Sequence, residues 1–85
     1  MDKLKYYRKN IDLIDKNIVK LLMLRFKLVR QIGNYKRKKK IDIADKKREL
    51  RVINNIKKYT KRLHQKFMTN IFENIIDYSR RLQSK

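Results

Sequence analysis

The stretch from Leu4 to Lys36 limits the fold more than any other part of the chain. It carries two interleaved seven-residue apolar series. One is Leu4, Ile11, Ile18 and Ile32; the other is Tyr7, Ile14, Leu21, Leu28 and Tyr35. Spacing that alternates three and four buries one stripe of an α-helix, so the stretch reads as a single helix. Its 33 residues span about 50 Å at roughly 1.5 Å per residue, and Asp2 stands where an N-cap belongs. The position due between Ile18 and Ile32 holds Arg25, which sets a guanidinium into the apolar seam. Arg8 follows Tyr7, and Lys36 follows Tyr35. Cations placed where a core needs methyl groups cost stability unless an anion meets them. The seam itself therefore points to an anionic ligand.

A chain of 85 residues forms one domain at most, with a radius of gyration near 12 Å if compact. The rest of the sequence supplies only two shorter helices, too little to cover so long a rod. The stripe calls for a second copy of itself, which predicts a symmetric, interlocked homodimer. The absence of Pro, the single Gly and the abundance of Lys, Leu, Ile, Arg and Asn predict an all-α fold. Without Cys there are no disulfides, thiolate nucleophiles or cysteine-bound metals. A lone His64 removes His-pair zinc sites and leaves a serine triad one candidate base, so no metal site is expected. No apolar run approaches the roughly 20 residues that span a bilayer, and Met1-Asp2-Lys3 leads into no signal-peptide core. A cytoplasmic protein is the expectation. The net charge of +18 suits nucleic acid or an anionic membrane surface, or simply solvated faces filled with Lys.

One domain is expected over 1–85, with helices at about 3–37, 43–58 and 61–83. Gly33 lies inside the first, either tolerated or marking close approach of a neighbour. Arg37 to Lys40 reads as a solvated cationic linker. The second helix takes Asp42 as its N-cap, with Asp45 three residues on to complement the dipole. Its apolar positions are Ile43, Leu50, Ile53 and Ile56. Asp45, Arg48 and Glu49 share a face as an intrahelical ion-pair cluster. Tyr59 to Lys61 makes the next turn, with Thr60 as cap. The third helix carries Leu63, Phe67, Ile71, Phe72, Ile75, Ile76 and Leu82, and its apolar seam continues into Ser79 and Gln83.

At about 100° per residue, Arg25 and Lys36 fall within roughly 20° of one face, while Arg8 lies about 100° from Arg25. Arg8 cannot easily join them on one helix, but in an antiparallel dimer it can reach the partner's site. The inward set is then Arg25, Lys36, Arg48, Ser79, Gln83 and a borrowed Arg8, with Asp45 and Glu49 at the margin. Such a cage suits a small organic dianion, two guanidiniums meeting two carboxylates with donors to spare. It has no nucleophile with a base and no Gly-rich phosphate loop. Electrostatic stabilisation and conformational restraint are the chemistry open to it.

Five segments carry a family resemblance: Arg8-Lys-Asn-Ile-Asp-Leu-Ile-Asp15; Leu21-Leu22 followed by Arg25; Ile32-Gly33-Asn34-Tyr35-Lys36; Asp45-Lys-Lys-Arg48-Glu49; and Ile75-Ile76-Asp77-Tyr78-Ser79 with Gln83. In this order and at these separations the chain resembles the all-helical chorismate mutases from about Leu4 to Gln83. The resemblance implies an intertwined dimer with two sites that rearranges chorismate to prephenate, on the route to phenylalanine and tyrosine, without a cofactor. It implies that Arg25 and the partner's Arg8 clamp the two carboxylates. Lys36 and Gln83 would donate to the ether oxygen as its bond breaks, with Lys36 also touching a carboxylate. Arg48 and Ser79 would help hold a carboxylate, and Glu49, with Asp45 nearby, would accept from the ring hydroxyl. Ile32, Val52 and Ile76 would form apolar walls. Arg80 departs from the pattern, standing where relatives often carry an apolar residue. The chain ends soon after Gln83, so no fused catalytic or regulatory domain is expected within it. The rival expectations are an isochorismate-pyruvate lyase of the same fold and a basic nucleic-acid-binding module, with polyanion contact otherwise only nonspecific.

Overall fold

The computed structural model describes residues 2–84, so Met1 and Lys85 of the expected 1–85 domain lie outside the described residues. The chain forms α1 (Lys3–Lys39), α2 (Lys46–Tyr59), a single 3-10 turn at Arg62–His64, and α3 (Gln65–Gln83). Among the described residues there is no strand, and the all-α expectation holds. α3 packs against both α1 and α2. An edge-to-face pair of Phe26 on α1 and Tyr78 on α3, ring centroids 5.0 Å apart, fastens the longest element to the last.

The seam of α1 has two fates. In its C-terminal half Val29 and Gly33 are buried against α3, which supplies Ile76, Ser79 and Leu82 to the same small core. In its N-terminal half none of the described residues covers it. Every residue from Asp2 to Leu21 is exposed, and Ile11, Ile18 and Leu21 keep 53%, 50% and 66% of their surface open. The radius of gyration is 16.5 Å and the longest extent 59 Å, against the roughly 12 Å radius of a compact chain of this length. The accessible surface, 7862 Å², exceeds the roughly 5,500 Å² of a compact monomer of this mass.

Helix boundaries differ from the expectation in three places, each with a local cause. Asp2 caps α1 as expected, accepting from the Leu4 and Lys5 amides. The helix continues through Lys39 rather than ending at 37, so most of the cationic run is its last turn and not a linker. Four cations there face the orphan carbonyls of a helix C-terminus, where positive charge is favoured. Lys40 adopts a left-handed conformation (φ 54, ψ 43). Its amide donates to the Arg37 carbonyl, while the Ile41 amide donates to that of Lys36 at 2.8 Å. This is the Schellman stop usually built on Gly.

Second, α2 begins at Lys46 rather than 43. Its cap is Asp45, whose carboxylate accepts from the Arg48 amide at 3.0 Å, and not Asp42. The Schellman turn directs the chain away over 41–44, so Asp42 is spent before helical geometry resumes. Third, Thr60 does not cap the next helical turn. Its hydroxyl donates back to the Ile56 carbonyl, the 3-10 turn has no side-chain cap, and α3 starts at Gln65, not 61. Leu63, placed by its spacing in the apolar seam, is left 86% exposed on that turn.

Candidate active site

Three elements converge on one cleft. The C-terminal half of α1 brings Arg25, Ile32 and Lys36; the start of α2 brings Asp45, Arg48, Glu49 and Val52; α3 brings Ile76, Ser79 and Gln83. Every site residue named from the sequence except Arg8 lines this cleft, whose volume is about 140 Å³. Arg8 borders a separate hollow beside Leu4, Lys5 and Asp12, and its 17-residue offset from Arg25 amounts to about 25 Å along the helix. Within one protomer the cage has one arginine fewer than the sequence set.

Arg25 and Lys36 are each held by a specific neighbour. Arg25 Nη1 donates to Ser79 Oγ at 2.7 Å, a bond that crosses from α1 to α3. Ser79 is only 5% exposed, so its hydroxyl orients the guanidinium rather than meeting solvent. Burial, and then the like charge of Arg48, push the Arg25 guanidinium below its usual value. It remains a cation at neutral pH. Lys36 Nζ donates to the Ile43 carbonyl at 2.9 Å, tying the ammonium to the loop before α2. That loop position is what Ile43 contributes; it is not in the helix.

Gln83 is placed by backbone packing. A Cβ built on Gly33 would lie 2.7 Å from Gln83 Cα and 2.8 Å from its carbonyl oxygen, so α3 sits against the bare face of Gly33. Of the two roles open to that glycine, close approach is the one it plays. Arg37 adds a clamp: its Nη1 donates to the Gln83 carbonyl at 2.6 Å, while its Nη2 bonds Asn34. Among the described residues the side chain of Gln83 stays uncommitted, with a buried Oε1 that none of them meets.

The acidic side of the cleft differs from the intrahelical cluster expected of Asp45, Arg48 and Glu49. Asp45 is used as the helix cap. Glu49 is paired not with Arg48 but with Arg80, which donates to it through Nε at 3.1 Å and Nη2 at 2.9 Å. The hydrogen bonds to Glu49, ahead of its charge, raise the Arg80 guanidinium above its usual value. Helical spacing shows only neighbours on one helix, so a pair joining α2 to α3 left no mark in the pattern. Val29 and Ile43 also line the cleft; Val29 lies off both seven-residue series. Among the described residues no cluster of three or more His, Asp or Glu side chains is gathered to hold a metal ion, and no helix is long and apolar enough to cross a membrane.

A helical domain with a cleft walled by Ile32, Val52 and Ile76, lined by the four cations Arg25, Lys36, Arg48 and Arg80 and closed by a hydroxyl and a free amide, has the charge that suits a small polyanionic molecule. Residues 7–84 match the family described as chorismate mutase type II, and the chain belongs to it. It is 33% identical over 90 aligned residues to a bifunctional chorismate mutase/prephenate dehydratase of Aquifex aeolicus (strain VF5). The match takes in all of this chain but 25% of that relative, so the chain spans about a quarter of the relative's length. No solved structure gives a significant match.

Proposed function

We propose that the protein is a chorismate mutase, converting chorismate to prephenate in a site shared by two copies of the chain. One observation carries the reading. Arg25, Lys36 and Arg48 face a single cleft together with the Ser79 hydroxyl and the uncommitted Gln83 amide. A dianion entering it would find its carboxylates met by Arg25 and Arg48. Lys36 and the amide of Gln83 would be left to donate to the ether oxygen. Negative charge grows there as the bond to the ring breaks, so these donors hold the transition state more tightly than the substrate. Glu49 would accept from the ring hydroxyl. Ile32, Val52 and Ile76 would fold the molecule into its reactive shape by contact alone.

The partner's Arg8 would supply the missing clamp. Supporting this, the uncovered seam of α1 is the half that holds Arg8, and the cleft is smaller than the roughly 300 Å³ at which ligand pockets begin. The surface excess over a compact monomer, about 2,400 Å², falls within the range buried by obligate dimers.

The test follows chorismate loss by ultraviolet absorbance, with the product identified and pyruvate assayed. Saturable conversion to prephenate without pyruvate is the expected result; release of pyruvate would make the protein a lyase instead. Lys36→Ala is expected to abolish turnover in a folded helical protein, and a fully active variant would overturn the assignment. Sedimentation should give twice the chain mass. Mixing inactive Arg8→Ala with inactive Arg25→Ala protein should restore activity, because one of the two sites in the mixed dimer is intact.

A further inference from the structure

Arg80 is the one cation of the cleft that the proposed mechanism leaves without a task. It is gripped on two sides: Nε and Nη2 fork onto both oxygens of Glu49 across the gap to α2, and Nη1 donates to Asp77 Oδ1 at 3.1 Å on its own helix. The Arg80 and Glu49 side chains are 41% and 28% exposed, and ion pairs that open to water add little to stability. Geometry is what this pair contributes. A guanidinium fork fixes the plane of the carboxylate it holds, which a lysine cannot do. Glu49 and Arg80, with Ile76, also border both the cleft and a second hollow lined by Leu50, Ile53 and Glu73, so the pair forms part of the wall between them.

For a dianion this has two consequences. A free carboxylate at Glu49 would repel it, whereas a carboxylate already matched by Arg80 does not. And a carboxylate has about four acceptor positions, so one bond to each oxygen leaves others open to accept a further proton donor. We propose that Arg80 is a positioning residue. It neutralises Glu49 and fixes the plane of its carboxylate, so that the ligand's hydroxyl is read at a set angle. This rests on the chorismate mutase reading and names the specificity element of that same site.

The experiment uses two bicyclic dicarboxylate analogues of the rearranging substrate, one with the ring hydroxyl and one without, titrated calorimetrically. The wild-type protein should favour the hydroxylated analogue about tenfold, the size of a hydrogen bond to a charged acceptor. Arg80→Met, which keeps the aliphatic stem, and Arg80→Lys, which keeps charge but loses the fork, should each bring that preference to within about twofold of unity. Glu49→Gln should lose it too, and adding Arg80→Met to Glu49→Gln should change nothing further. Retention of the preference in either Arg80 variant, equal weakening toward both analogues, or additive effects in the double variant would overturn the proposal. Failure of the wild-type protein to bind either analogue would instead overturn the chorismate mutase reading, and this proposal with it. Helix content by circular dichroism confirms that each variant is folded.

Discussion

Arg25 bears the conflict between folding and function most directly. Its pKa is lowered, so the folded protein disfavours the charged form. A cation with a depressed folded value costs stability at every pH below that value, and the cost lifts only above the unfolded one. An arginine side chain stays protonated throughout the neutral range, so the cost is present there. Arg25→Met should therefore abolish turnover without lowering the thermal midpoint; a marked drop would mean that the bond to Ser79 is structural. Gln83 carries the pH prediction. A neutral amide donates at any pH, so activity should hold from mildly acidic through neutral conditions. A Glu in its place donates only when protonated, so Gln83→Glu should be active in acid and fade as pH rises through that group's pKa. A flat profile for the variant would remove Gln83 from its assigned role.

At the scale of the element, the stop signal of α1 is out of the ordinary. Lys40 holds the left-handed geometry that a Schellman turn requires, at a cost of about 1–2 kcal/mol for a residue with a Cβ. Lys40→Gly should raise stability by roughly 0.5–1 kcal/mol, the relief being offset in part by a freer unfolded chain. Urea denaturation with an unchanged m-value is the check. The same position shows what the sequence could and could not disclose. That α1 is a single long helix, and the inward faces of Arg25, Lys36, Ser79 and Gln83, were legible, because helical periodicity is a property of residue order itself. Where α1 stops was not, because a lysine carries no sign of a positive φ. Asp42 and Asp45 are equally good caps by type, and only the turn at Lys40 decides between them. The Arg80–Glu49 fork joins residues 31 positions apart, so packing alone creates it.

The whole molecule is long, thin and strongly positive. Two copies brought together would double a charge that is already +18, and their mutual repulsion is screened within about 10 Å at 0.1 M salt. Added salt should therefore tighten association, measured by sedimentation, while raising KM for a dianionic substrate: two effects of one variable with opposite benefit. The clamp on Gln83 has its own consequence. The residue assigned the ether oxygen rides on the last turn of α3, held down by one guanidinium and the flat side of a glycine. Terminal turns open at far lower free energies than cores do. On warming, turnover should fail several degrees before the helices melt, so that the chemistry acts as an early thermometer for a fold still intact by circular dichroism.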